Sequence, residues 1–307
     1  MDISIISINY NSSDLTLGLV KSIIQQISSS VLYEIIIIDN CSKPEDYLNL
    51  KRVLGNYDSR VTIVRSNINL GFGGGNMLGT QYASGKYLAF VNNDIIFIED
   101  CFSSLKKFME THQSIAVVTP QQLDRHEKPT YSFDYFHGIR KEIFGRKAIE
   151  LTSKKIKRER KQYTDSFSVD FVQGSFMFFD AHKFAEVGGF DTNIFLYYEE
   201  MDICYRLQQK GYASYLHPET AFIHLQGEST TYSYEIAKEL KLSKLYVFRK
   251  NHHYLKYLII RFYWMAVCLY KSIFKPVFWE LFFITITGKY VENSLKLQQK
   301  IVFIENE

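Results

Sequence analysis

The chain has 307 residues, room for one sizeable core with an appendage, because single cores stop growing near ~250–300 residues. A net charge of +3 names no partner, and four scattered cysteines (Cys41, Cys101, Cys204, Cys268) exclude a tight disulfide framework and suit a reducing compartment. No basic segment, long apolar run and small-residue cleavage site open the chain, so the expected location is the cytoplasm.

Apolar β-rich runs at Ile3–Ile8, Ile35–Ile38, Val61–Val64, Tyr87–Val91 and Ile115–Val118 alternate with helix-length segments at Ser13–Ser28, Pro44–Asn56, Gly75–Ser84 and Glu99–His112. Short continuous apolar strands separated by helices predict an α/β architecture with a parallel sheet covered on both faces. Ligands bind such sheets outside the carboxyl ends of the strands. Three polar clusters fall at that edge: Asn9 and Asn11; Asp39 and Asn40; Asn92, Asn93 and Asp94.

From about Gln121 to Ser166 the pattern dissolves into polar, aromatic and basic residues, with ten cations between Arg140 and Lys161. This stretch reads as a partly mobile excursion, either a solvated loop or a contact for anionic lipid or a pyrophosphate-linked acceptor. A strand at Phe171–Phe179, a short helix near Lys183–Val187, a helix over Glu199–Lys210 and a strand at Tyr212–Leu216 follow, with Pro218 as its expected stop. The tail, 241–307, is helical and rich in aromatics but interrupted by Lys256, Arg261, Lys271, Lys275 and Glu280. Its longest uncharged stretch is far below the ~20 residues a membrane-spanning helix needs. It reads as paired amphipathic helices at a membrane surface, or as a hairpin packed on the domain or on a second copy in a homodimer.

Three sets of residues carry candidate chemistry. Asp94, directly after an apolar strand, could hold a hard divalent cation that bridges a diphosphate, or could simply end the strand in a turn. Glu199, Glu200 and Asp202 open a helix, where the macrodipole favours acids; beside an apolar wall such a carboxylate can be raised in pKa and act as a general base. Arg206 stands four residues after Asp202 and reads as its intrahelical ion-pair partner. His224, within the apolar run Ala221–Leu225, is either a core residue or a metal ligand. The run Gly71-Phe72-Gly73-Gly74-Gly75-Asn76 is not a dinucleotide fingerprint: Asn76 stands where the last glycine belongs, and it follows the third strand.

Taken together, Ser7-Ile8-Asn9-Tyr10-Asn11-Ser12, Ile38-Asp39-Asn40-Cys41-Ser42, Asn69-Leu70-Gly71-Phe72-Gly73-Gly74-Gly75-Asn76, Val91-Asn92-Asn93-Asp94, Gly188-Gly189-Phe190-Asp191, Tyr198-Glu199-Glu200-Met201-Asp202 and His224 resemble family 2 glycosyltransferases of the bacterial rhamnosyltransferase-like branch. The resemblance spans most of the first 230 residues. It implies a GT-A fold, a Rossmann-like, mostly parallel sheet flanked by helices, here over residues 1–240 with the aromatic helical extension beyond. It also implies an inverting, metal-dependent transfer from a nucleoside-diphosphate-sugar of the dTDP-rhamnose or UDP-hexose class to a saccharide acceptor. Asp39 matches the residue that reads the donor's base, with Asn9, Asn11, Asn40, Asn69, Gly71, Asn92 and Asn93 around the nucleotide. Asp94 and His224 match ligands of Mn2+ or Mg2+. Glu200 matches the catalytic base, although the usual Glu-Asp pair reads Glu-Glu, which keeps Glu199 and Asp202 in play. The motif's first position is Asn92 and not aspartate. With the aromatic tail, the expected setting is surface-polysaccharide assembly on a polyprenyl-diphosphate-linked acceptor at the inner face of the plasma membrane, with no nucleic-acid partner. The rival reading is a non-catalytic nucleotide-sugar-binding or assembly subunit.

Overall fold

The run Ile-Ser-Ile-Ile-Ser-Ile-Asn forms β1 (Ile3–Asn9), buried along nearly its whole length, as a strand between two helix layers must be. The computed structural model describes residues 1–225 and 233–304. After β1 come α1 (Ser13–Gln26), β2 (Tyr33–Asn40), α2 (Pro44–Leu54), β3 (Val61–Ser66), α3 (Gly71–Thr80), β4 (Tyr87–Val91), β5 (Ile95–Phe97), α4 (Cys101–Thr111) and β6 (Ile115–Leu123). β1 lies between β2 and β4, parallel to both, and β3 extends this parallel half beyond β2. The carboxyl ends of β1, β2 and β4 therefore share one edge, as the polar clusters predict.

Helix α3 begins at Gly71, four residues earlier than expected. Glycine is a poor helix former, which hides this start from sequence reading. Packing supplies the reason for it. A Cβ on Gly79 would meet Ile6 Cγ2 at 2.4 Å, and one on Gly75 would meet Ile8 Cδ1 at 2.8 Å. The missing side chains let α3 close onto β1.

The excursion is more ordered than its composition suggests. Its first residues extend β6, and β7 (Phe133–Asp134), α5 (Ile139–Phe144), α6 (Arg146–Thr152) and β8 (Phe167–Val169) follow. Phe133, Tyr135, Tyr163 and Leu216 bury one another. Lys141 pairs with Asp134 at 2.9 Å, Lys161 with Glu159 at 2.9 Å, and Lys155 with Asp170. Acids inside and beside the run take up part of its charge.

The expected strand at Phe171–Phe179 is two strands, β9 (Phe171–Val172) and β10 (Phe176–Asp180), broken at Gln173-Gly174-Ser175. β9 pairs with β7, whereas β10 inserts antiparallel between β4 and β6. Then come α7 (Ala181–Glu186), α8 (Glu199–Gln209) and β11 (Ala213–His224). Pro218 does not stop β11. The register against β6 slips between His217 and Ala221, so the proline sits in an irregularity where its missing N–H costs no ladder bond. The main sheet runs β3-β2-β1-β4-β10-β6-β11-β5, with β8 on β11.

The tail comprises α9 (Tyr234–Asn251), α10 (Tyr254–Ser272) and α11 (Phe278–Thr287), so the expected border at 240 falls inside α9. Leu245, Phe248, Tyr257, Ile260, Leu281 and Ile284 form its own apolar cluster. Arg261 Nε closes the hairpin onto the Thr285 carbonyl at 2.8 Å. Among the described residues no helix is long and apolar enough to cross a membrane.

Candidate active site

The register places Asn9 opposite Asp39, and Asp39 opposite Arg65. Asn9 Nδ2 donates to Asp39 Oδ1 at 2.9 Å, to Ser42 Oγ at 3.1 Å and to Asp46 Oδ2 at 2.8 Å, while Thr16 Oγ1 donates to Asn9 Oδ1 at 2.8 Å. Arg65 Nη1 donates to Asp39 Oδ2, and its guanidinium lies 4.4 Å from the centre of the Tyr47 ring. Asp39 is fully buried, and burial raises its pKa against the pull of Ser42, Asn9 and Arg65. Asn9 and Asp39 thus sit on the floor of the edge, every polar side-chain atom of the two hydrogen-bonded. Asn11 has φ +54° and holds the next turn: its backbone N–H donates to Ser42 Oγ, and its side chain accepts from Lys43 N at 2.8 Å.

Asn40 fixes the loop into α3. Its Nδ2 donates to Asn69 Oδ1 at 3.0 Å and to the Gly71 carbonyl at 3.1 Å, and its Oδ1 accepts from Leu70 N at 2.9 Å. Gly71 has φ +71°, and a Cβ there would lie 2.1 Å from the Phe195 carbonyl oxygen, which also accepts from Phe72 N. Only glycine fits, and the nucleotide-side loop is thereby tied to the segment leading into α8.

Asn93 turns inward, donating to Ser12 Oγ at 2.7 Å and Thr16 Oγ1 at 3.0 Å, and so braces the ends of β1 and β4. Asn92, half-buried, donates its backbone N–H to the Ser175 carbonyl. Asp94 and His224, distant in sequence, meet because β5 pairs with the end of β11. His224 Nε2 is 3.2 Å from Asp94 Oδ1, yet Asp94 Oδ1 has no aligned hydrogen bond, and neither has His224 Nδ1. Buried polar atoms left unpaired cost ~1–3 kcal/mol each, so this contact is poorly explained as an end in itself. Its spacing matches two adjacent ligands on an octahedral ion with bonds of about 2.1 Å. Among the described residues no third His, Cys, Asp or Glu joins them.

The acids of α8 follow Tyr197 and Tyr198, both left-handed at φ +71° and +73°, a conformation bulky residues avoid and functional sites concentrate. The three carboxylates then part company. Glu199 is buried against Gly73 with Oε1 unpaired; burial, then the Glu200 charge, raise its pKa well above the ordinary value. Glu200 is half-buried, with Oε2 3.7 Å from where a Cβ on Gly174 would stand. Gly174 adjoins Ser175, whose carbonyl accepts from Asn92 N, so this carboxylate lies beside the break between β9 and β10 that is tied to the end of β4. Burial pushes Glu200 up to about 7, and the Asp134 charge adds to it. Asp202 is fully buried and committed to Arg206 Nε at 2.9 Å, Lys250 Nζ at 2.9 Å and Asn251 Nδ2 at 3.0 Å. Arg65, Thr16 and Asp46 carry no signal in the sequence beyond being polar near strand ends, and only the register reveals their partners.

A family model described as Glycosyl transferase family 2 matches residues 4–188. The matched stretch contains every candidate from Asn9 to Asp94 and stops before the α8 acids and His224. Rhamnosyltransferase WbbL of Escherichia coli (strain K12) is 27% identical over 203 residues, covering 62% of this chain and 72% of that protein. Low-salt glycan biosynthesis hexosyltransferase Agl10 of Haloferax volcanii is 25% identical over 216 residues, covering 68% of this chain and 62% of that protein. The solved structure of GalNAc-T7 with UDP, GalNAc and Mn2+ superposes with a TM-score of 0.57 at 16% identity, over 81% of this chain and 50% of that chain. That likeness is one of fold, and the fold is the GT-A fold expected from the sequence.

Proposed function

The chain belongs to glycosyl transferase family 2, and from that premise we propose that it moves a sugar from a nucleoside diphosphate to a saccharide acceptor with inversion of the anomeric carbon. The observation that carries the reading is the Asp94–His224 contact, where the unpaired Asp94 Oδ1 and His224 Nε2, 3.2 Å apart, are spaced to share a cation. A Mn2+ or Mg2+ ion held there would stabilise the charge gathering on the departing nucleoside diphosphate. The Mn2+ and UDP bound in GalNAc-T7 support that use.

Glu200 takes the proton of the acceptor hydroxyl. As that oxygen bonds to the anomeric carbon, the bond to the diphosphate oxygen breaks on the opposite face. One base and one displacement give inversion. Glu199, buried against Gly73, and Asp202, held by Arg206 and Lys250, serve the architecture of the site. Asp39 reads the donor's base, and Asn11, Asn40, Asn69, Gly71 and Asn92 surround the nucleotide above the floor made by Asn9, Arg65 and Asn93. The donor is of the dTDP-rhamnose or UDP-hexose class, and the names of WbbL and Agl10 support work in glycan assembly. Exposed aromatics on the tail, including Phe262, Tyr270, Phe274, Trp279 and Phe283, support a chain seated on the inner face of the plasma membrane, where a polyprenyl-diphosphate-linked acceptor would be met.

Thermal unfolding in UDP, dTDP, GDP and CDP, each with and without Mn2+, tests the reading. A ligand at 100 times its Kd stabilises by ~2.7 kcal/mol. A rise with one nucleotide that needs metal and disappears in Asp94→Ala is expected. A rise that persists without metal and in that variant overturns the metal assignment.

A further inference from the structure

Glu142 on α5 is a meeting point outside the active site. Its Oε1 meets His137 Nδ1 at 2.6 Å, and its Oε2 accepts from Lys244 Nζ at 2.9 Å and Trp264 Nε1 at 3.0 Å. The carboxylate is thereby spoken for. Lys241, one turn before Lys244 on α9, stands 3.8 Å from the centre of the Trp264 ring, and among the described residues it forms no ion pair. Burial, and then the Lys244 charge, push its ammonium down to about 8. Lys271 leans over Phe278 at 5.3 Å, again without an acid, whereas nearby Lys238 is matched by Glu280. These side chains line a narrow cleft between α9, α10 and α11 whose enclosed part is about 20 Å³, with Trp264, Val267 and Leu281 as apolar walls.

We propose that the mouth of this cleft is a binding site for the phosphate of an anionic membrane-lipid headgroup, taken between Lys241 and Lys271 beside the Trp264 ring. The inference rests on the membrane-surface reading of the tail. A half-buried ammonium stacked on an indole and lacking a counter-ion is an unfinished arrangement, and an anion completes it. The surroundings select a lipid over a free phosphate: Tyr270, Phe274, Trp279 and Phe283 are exposed beside the cleft, where acyl chains would continue from a bound headgroup. Glu142 links the cleft to α8: it holds Lys244 and Trp264 of the cleft and also His137, whose ring lies 5.4 Å from that of Tyr198, the residue before Glu199. A headgroup held here would set the mouth of the active site at the bilayer surface.

Two measurements on the full chain separate this site from diffuse attraction. In the first, binding to phosphatidylcholine vesicles with and without phosphatidylglycerol is compared for wild type, for Lys241→Gln with Lys271→Gln, and for Lys256→Gln with Lys275→Gln. Both pairs remove two charges from the tail, but only the first lines the cleft. The cleft pair is expected to weaken binding to anionic vesicles about tenfold more than the control pair, the scale of a hydrogen bond to a charged group. Equal losses overturn the cleft and leave the membrane reading standing. In the second, Trp279→Phe leaves Trp264 as the sole tryptophan. Its fluorescence is titrated with short-chain phosphatidylglycerol, short-chain phosphatidylcholine and inorganic phosphate. A saturable response to the first alone supports the site. An equal response to inorganic phosphate overturns the lipid assignment. Should wild type bind no vesicle, the membrane reading falls, and this titration still judges the cleft: a response to the anionic lipid supports it, and silence overturns it.

Discussion

Lys250 of α9 reaches Asp202 of α8 at 2.9 Å across 48 positions of sequence, so the tail's first helix is bolted to the helix that carries the candidate base. Arg206 and Asn251 complete the shell around the same carboxylate, and Arg206 Nη2 continues to the Gly189 carbonyl at 2.7 Å. Removing one partner of a buried ion pair strands the others. Arg206 and Lys250 keep some solvent, so Asp202→Ala is expected to destabilise by about 3 kcal/mol, the lower end for such losses. Urea unfolding measures it. Stability within about 0.5 kcal/mol of wild type would show that the bolt carries no load.

Asp94 and His224 should trade stability for function. The unpaired Asp94 Oδ1 is a cost without metal, so Asp94→Asn in chelator is expected to be neutral or stabilising by about 1 kcal/mol. The same variant should lose the metal-dependent part of donor affinity. Calorimetric titration of donor with and without Mn2+, beside an unfolding curve in chelator, checks both halves. A large loss of stability in chelator would mean that the pair is structural.

Gly71→Ala is expected to cost about 2–3 kcal/mol, because a left-handed residue gains a Cβ that collides with the Phe195 carbonyl. The collision pushes the loop into α3 away from the segment leading into α8, so donor affinity should fall as well. Gly138→Ala, with nothing within 4 Å of the added carbon, serves as the control. Thermal unfolding of the two variants side by side makes the comparison, and equal melting would remove the steric account.

The strand-end clusters were readable because a buried parallel strand must end in polar residues where the chain leaves the sheet, and ligands gather at that edge. Asp39, Asn40 and Asp94 stand where that logic puts them. What each side chain faces was not readable. Whether Asn93 points to a ligand or to Thr16 depends on how α1 crosses the sheet, and Arg65 becomes Asp39's partner only through the β2–β3 register. Gly71 as a helix start and Pro218 within a strand both defeat local propensity, because tertiary packing decides them. The three acids of α8 looked alike in sequence; burial, the Gly73 and Gly174 backbones and the Lys250 bolt tell them apart.

Glu200 yields the sharpest test. A general base works only when deprotonated, and burial holds this carboxyl near 7. Turnover should therefore fall about tenfold per pH unit below about 7 and level off above it. Asp134 faces Glu200 as a like charge and is itself paired with Lys141. Replacing it by asparagine removes a negative charge and releases a positive one, and both changes favour the ionised form of Glu200. The acid limb of the profile in Asp134→Asn should move to lower pH. Glu200→Gln should lose roughly 10²–10⁴-fold in kcat and flatten that limb, with donor affinity kept. Initial rates across pH 5–9 for the three proteins decide the matter. An acid limb that stays in place in Asp134→Asn, or survives in Glu200→Gln, would move the base to another residue, with Glu199 next to be tested.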